Sequence, residues 1–310
     1  MQHRLKHYVE YAALRSTQGL FNILPYRLAL GVGWVLAFIT FYLVRFRRQL
    51  AEERIRIVFG DKYTTHEVRT IAWVSMRNLF FNTIELLRVP RITKEWVQEV
   101  TDFSDTQSFW ERENPEKGGV FAIPHMGNWD LSGIGAYCFG IPIFIITGNQ
   151  RNVLVNDFLN RLRGFTGVET IVRDDPSLSR KVMKSLKAGK YLAIMTDLRS
   201  KNPGIKAQFL GAEANLVPGM AVYAQLARVP VYPVIVTRVG WARHRWRAFD
   251  PIQPDRSLDR KEDWQRMTQL VMDIFDKAIR EEPEQFFWYN KRWVLDPLEP
   301  ETKSDSPTDG

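Results

Sequence analysis

The chain has 310 residues, 45% of them hydrophobic, enough to bury a sizeable core in one large domain or two small ones. Lys and Arg outnumber Asp and Glu by 43 to 35, and the pI is about 9.5, which favours an anionic partner such as a membrane surface, an acidic carrier protein or nucleic acid. No nucleic-acid-binding module is recognisable, and one cysteine excludes an internal disulfide framework or a Cys-rich zinc site.

The start is polar, and no small-residue cleavage site follows the first apolar run, so no cleavable signal peptide is predicted. Leu20 to Val44 is the most apolar stretch, with Arg27 its only charge. The 17 uncharged residues from Leu28 to Val44 sit at the lower edge of what spans a bilayer. Three readings stay open: a spanning helix, a helix lying among the headgroups, and a buried core helix. Basic residues on both sides (His3, Arg4, Lys6 and Arg15, then Arg45, Arg47 and Arg48) favour both ends in one leaflet, hence the interfacial reading. Residues 1–48 are therefore assigned as a membrane-associating segment, 49–115 as a helical lead-in, and 49–295 as the main domain.

Thr64 or Thr65 can cap the next helix. Over Arg69 to Arg88, Trp73, Met76, Phe80, Ile84 and Leu87 make an apolar stripe, and Ser75, Asn78, Asn82 and Glu85 a polar one. The polar stripe is either a solvated surface or, since Leu79 and Phe81 flank it, the wall of a polar site. From Gly118 onward strands and helices alternate. The strands are Val120–Ile123, Ile143–Thr147, Val168–Val172, Tyr191–Met195 and Val231–Val236. Helical patterns at Leu178–Lys187, Pro218–Arg228 and Asp263–Arg280 lie between and after them. The fold class is α/β, a mixed, mainly parallel sheet flanked by helices, with a membrane-associating helix at the N-terminus. Residues 296–310 hold no apolar anchor and are predicted to be disordered. Cys138, among Ala136, Tyr137 and Phe139, reads as a core residue.

The chemistry centres on Gly118-Gly-Val-Phe-Ala-Ile-Pro-His125-Met-Gly-Asn-Trp-Asp130. His125 follows the first central strand, and Gly127-Asn128 leads into the helix Leu131–Phe139. A strand-to-helix turn can fold Asp130 back over His125. Such a pair can take a hydroxyl proton on the imidazole, with the carboxylate holding the ring in one tautomer. Amides of the Gly127-Asn128 turn are candidates to stabilise an oxyanion. The residues after the other strands are Asn149-Gln150-Arg151, Arg173-Asp174, Asp197-Leu198-Arg199 and Arg238. In a parallel sheet all of them meet at the carboxyl edge, where arginines suit a phosphate-bearing ligand. No histidine spacing suggests a metal site, and no Gly-x-Ser-x-Gly elbow is present.

Pro124-His125-Met-Gly-Asn128-Trp-Asp130-Leu resembles the His-x4-Asp/Glu signature of the lysophospholipid acyltransferase superfamily, and more narrowly the bacterial lipid A lauroyl/myristoyl acyltransferase family and its phosphatidylinositol mannoside-acylating relatives. The resemblance runs from about Arg47 to Trp293. Its narrower marks are the block Asn152–Gly164 with Arg161 and Arg163, Asp197, Phe209-Leu-Gly211, Pro218-Gly219, and the closing segment Glu284–Trp293 with Arg292. It implies a membrane enzyme on the cytoplasmic side of the inner membrane. The enzyme would move an acyl chain from an acyl-carrier protein or acyl-CoA to a hydroxyl of a glycolipid, without a cofactor. His125 and Asp130 would be catalytic, and Asn128, Arg151, Arg161, Arg163, Asp197 and Arg292 would bind substrate. Most lipid A enzymes of the family carry glutamate where this chain has Asp130, and the Thr196–Ser200 block lacks their fuller aspartate pattern. The acceptor is therefore open between a lipid A precursor, a phosphatidylinositol mannoside and a lysophospholipid. A non-catalytic glycolipid-binding protein and a hydrolase using His125 on water are the rivals from other classes.

Overall fold

The computed structural model describes residues 5–106, 118–148, 152–165 and 167–296. Two helices, α1 (Leu5–Ile23) and α2 (Tyr26–Phe38), open it, the latter continuing as one wider turn over Ile39–Leu43. The apolar stretch is thus divided at Leu24-Pro25, where proline supplies no N–H and its fixed φ starts α2. Helices α3 (Arg48–Phe59), α4 (Thr65–Leu87) and α5 (Lys94–Val100) follow. Thr64 caps α4 in a reciprocal box with Glu67.

Helix α2 lies along α4 and buries Ala29, Leu30, Gly33 and Ala37. Its other side leaves Leu28, Val32, Val35, Leu36 and Ile39 in contact with solvent. That one-sided burial excludes the buried core helix among the three readings. Tyr26–Leu43 is long and apolar enough to cross a membrane by length and composition.

The remaining elements are β1 (Thr101–Asp102), β2 (Gly119–Ile123), α6 (Trp129–Cys138), β3 (Ile143–Thr147), α7 (Val153–Gly164), β4 (Glu169–Val172), α8 (Leu178–Lys187), β5 (Tyr191–Met195), β6 (Ile205–Phe209), β7 (Ala212–Leu216), α9 (Gly219–Ala227), β8 (Val231–Arg238), β9 (His244–Ala248) and α10 (Arg260–Glu281). Seven strands form one sheet in the order β1-β9-β8-β2-β5-β3-β4. The five strands from β8 to β4 are mutually parallel, and β9 runs antiparallel to β8. Every residue of β2 and β8 is buried, as expected for strands covered on both faces. The hairpin β6–β7 packs on α10 outside this sheet, although its alternating sequence reads as a loop when only long apolar runs are sought. Residues 297–310, where disorder is predicted, lie outside the described residues. Cys138 is partly buried.

Candidate active site

The turn after β2 is held from three sides. Gly127 has φ +61°, and a Cβ built on it would lie 1.8 Å from the Val236 carbonyl oxygen, so only glycine fits there. Its N–H donates to the Gln285 carbonyl at 2.8 Å, and the Asn128 N–H donates to the Val236 carbonyl at 2.7 Å. The Phe287 N–H donates to the His125 carbonyl at 2.8 Å. The closing segment Glu284–Trp293, legible only as a family mark, therefore pins the histidine turn onto β8. Both turn amides named as candidate oxyanion donors are spent on this packing, which overturns that expectation.

His125 meets a different carboxylate from the one its spacing suggests. Strand β5 lies beside β2 with Ile123 opposite Met195, so the two strand ends deliver His125 and Asp197 side by side. Asp197 Oδ1 lies 2.7 Å from His125 Nδ1, and Oδ2 accepts the His125 backbone N–H at 2.8 Å. A carboxylate only accepts, so Nδ1 carries the proton and Nε2 is left as the basic atom. Asp197 is 3% exposed, whereas the His125 side chain keeps 17% of its surface. Burial opposes the imidazolium, but the charge and hydrogen bond of Asp197, and the charge of Asp130 after them, hold the ring's pKa above its ordinary value. Trp129 and Phe287 flank the ring at 5.3 and 6.4 Å between centroids. Asp130, in the first turn of α6, acts on the ring through its charge and lines the neighbouring cavity. The tautomer-fixing role expected of Asp130 thus falls geometrically to Asp197, because sheet order brings β5 next to β2.

Beneath the turn sits a second polar cluster. Ser75, Asn78, Asn82 and Glu85 on α4 are all buried, so the solvated reading of this stripe is wrong. Glu85, 2% exposed, accepts from Arg238 Nη2 at 2.6 Å and Nη1 at 3.0 Å, from Asn128 Nδ2 at 2.5 Å and from the Tyr26 hydroxyl. His244 Nε2 lies 3.4 Å from it. Asn82 donates to the Gly127 carbonyl at 2.6 Å and accepts from Arg238 at 3.0 Å. Burial disfavours the Glu85 carboxylate, yet Arg238 and then His244 outweigh it and hold its pKa well below the usual range. Burial, followed by the Arg238 charge, keeps His244 below its ordinary pKa.

Two predicted assignments change with this cluster. Asn128 is buried, with Nδ2 on Glu85 and Oδ1 capping α6 through the Leu131 N–H at 3.0 Å, so it positions the turn and does not face a substrate. Arg238, placed at the rim as a phosphate ligand, is instead enclosed as the partner of Glu85. The sequence alone assigns no role to Tyr26, His244 or Gln285. Gln285 pairs with β8 in both directions, accepting from the Arg238 N–H and donating to its carbonyl, each at 3.0 Å.

A cavity of about 490 Å³ opens at the carboxyl edge of the sheet, where neither His125 nor Asp197 is among its lining residues. Ile123, Trp129, Asp130 and Leu198, close in sequence to these two residues, form its near wall, and Ile134, Ile145, Met195 and Tyr223 contribute further apolar surface. Thr147, Arg173 and Arg292 add polar groups. Arg292 also donates to the Arg199 carbonyl at 2.6 Å, which joins the closing segment to the loop after β5. Arg161 is exposed and directed at the Tyr11 hydroxyl, 3.5 Å away, away from the cavity. Arg151 and the side chain of Arg163 lie outside the described residues. Among the described residues no group of three or more His, Cys, Asp or Glu could hold a metal ion.

Two comparisons with known proteins bear on this site. The profile of the bacterial lipid A biosynthesis acyltransferases matches residues 5–294. A curated phosphatidylinositol mannoside acyltransferase of Mycolicibacterium smegmatis is 20% identical over 216 residues, covering 68% of this chain and 68% of the relative.

Proposed function

Because the chain belongs to the bacterial lipid A biosynthesis acyltransferase family, we propose that it transfers a fatty acyl chain from an acyl thioester to a hydroxyl of a membrane glycolipid, with His125 as general base. Family membership gives the coarser part, an acyltransferase acting on a lipid. The observation that carries the finer part is the protonated Nδ1 of His125 at 2.7 Å from buried Asp197, which leaves Nε2 basic, with Trp129, Asp130 and Leu198 next in sequence lining an apolar cavity.

In this reading Nε2 takes the proton as the acceptor oxygen attacks the thioester carbonyl, and the resulting imidazolium is stabilised by Asp197. General-base transfer of this type contributes about 10²–10⁴-fold. Asp197 is a positioning residue, and Asp130 adds negative charge near the developing cation. Collapse of the tetrahedral intermediate expels the thiolate, which receives a proton from the imidazolium. No acyl-enzyme is needed, in keeping with a partly buried Cys138. Arg173 and Arg292 supply positive charge at the cavity for the oxyanion or for an acidic headgroup, and Arg163 remains a candidate for the same task. The acyl chain lies in the apolar cavity.

The acceptor is a lipid A precursor-like glycolipid in the primary reading. The mannoside-acylating relative and the aspartate at 130 support a phosphatidylinositol mannoside-like acceptor as the second. The donor is an acyl-carrier protein or acyl-CoA. The exposed apolar side of α2, with Arg45, Arg47 and Arg48 after it, supports docking on the inner membrane from the cytoplasmic side. Incubating membranes with a radiolabelled acyl thioester tests the reading. Labelled glycolipid is expected, whereas labelled free fatty acid alone would indicate a hydrolase, and no turnover a binding protein.

A further inference from the structure

Helix α6 presents Trp129, Asp130, Gly133 and Ile134 to the cavity. Glycine inside a helix is less favourable than alanine, so each helical glycine calls for a reason. Gly135 has one: a Cβ there would lie 2.5 Å from Trp246 Cζ3. Gly133 has none of that kind. Among the described residues a Cβ built on it meets no atom within 4 Å, and its φ is not positive. Gly133 lines the cavity, so a side chain there would take up space on that wall.

We propose that Gly133 sets the acyl-chain length the protein accepts, by leaving room on the α6 wall for methylenes that any side chain there would displace. The inference rests on the cavity being the acyl site. It names a specificity determinant one helical turn beyond Asp130, on the α6 side of the cavity. A second glycine lines the cavity, Gly219 at the start of α9, where an added Cβ would lie 3.2 Å from the flexible end of Ile194.

Full-length wild-type protein and the variants Gly133→Ala, Gly133→Leu and Gly219→Ala would be compared in two assays. One measures transfer from coenzyme A thioesters of graded chain length to the lipid extract of a strain deleted for this protein, read by mass spectrometry. The other measures competition of saturated fatty acids of graded length against a bound fluorescent fatty acid. Each methylene that loses its place weakens relative kcat/KM about fourfold, from about 0.8 kcal/mol per buried methylene. Gly133→Leu should therefore lower relative kcat/KM for the longest accepted donor by about tenfold or more and move the optimum to shorter chains. Gly133→Ala should move it less while melting at or above the wild-type temperature, which keeps the test valid if the leucine variant folds poorly. An unchanged length profile in both Gly133 variants, or a shift seen only in Gly219→Ala, would overturn the proposal. If wild type binds fatty acids with a length limit that Gly133→Ala moves, yet transfers nothing, the acyltransferase reading fails and the length assignment stands.

Discussion

Two polar clusters lie within one turn of each other, and they differ in what is left unspent. Around Glu85, Arg238, Asn82, Asn128 and Tyr26, most donors and acceptors meet one another, and the hydrogen bonds end on the backbone of the histidine turn. At His125, one ring nitrogen is committed to Asp197 and the side chain keeps a share of open surface. Both clusters hold perturbed ionisable groups. Perturbation alone therefore does not identify chemistry: a buried ion pair shifts its groups just as an active site does. The lower cluster positions, and the upper one has an atom available to react.

The comparison predicts that damage should separate, with activity lost above and stability below. His125→Ala should lower kcat by about 10³–10⁴-fold with little change in Tm, measured on purified protein by thioester consumption and calorimetry. Substantial residual transfer would remove His125 as the base. Arg238→Met leaves the Glu85 charge enclosed without its main partner and should cost about 3–5 kcal/mol in denaturant unfolding. A loss under about 1 kcal/mol would show that water reaches the cluster and would erase the contrast.

Asp197→Asn should lower kcat by about 10²-fold and also move the pH profile. A general base works when neutral, so the wild-type rate rises with pH through a His125 pKa above the ordinary 6.5. Removing the Asp197 charge leaves burial, which lowers the pKa, as the largest influence, so the acid limb of kcat/KM should move to lower pH. A limb that stays in place would mean Asp197 does not govern the ring. The smallest expected effect is that of Asn82→Ala, which unpairs the buried Gly127 carbonyl. It should cost about 1–3 kcal/mol of stability and reduce kcat several-fold with KM nearly unchanged.

Much of this architecture was readable beforehand, for local reasons. The five parallel strands appear in the sequence as apolar runs closed by glycine, proline or charge, and β2 and β8 are buried throughout. Strand β9 (His-Arg-Trp-Arg-Ala) escaped because its arginines break the apolar run, although Arg245 and Arg247 each meet an acidic partner near the end of α10. On α4, the spacing of Ser75, Asn78, Asn82 and Glu85 announced one polar face. It did not say whether water or protein covers that face, since the same period serves both.

The chain by itself determined that a histidine stands at a strand-to-helix turn, that Gly127 and Asn128 shape that turn, and that a basic, apolar-fronted segment precedes the main domain. These are consequences of backbone dihedrals, capping and hydrophobic period, which act over a few residues. Only the tertiary structure decided which carboxylate holds the imidazole, which amides are already occupied, and which arginine is enclosed. Those outcomes depend on strand order and register, which bring Asp197 to a residue 72 positions away and Arg238 to one 153 positions away. A five-residue spacing made Asp130 look like the ring's partner; the adjacency of β2 and β5 gave that place to Asp197.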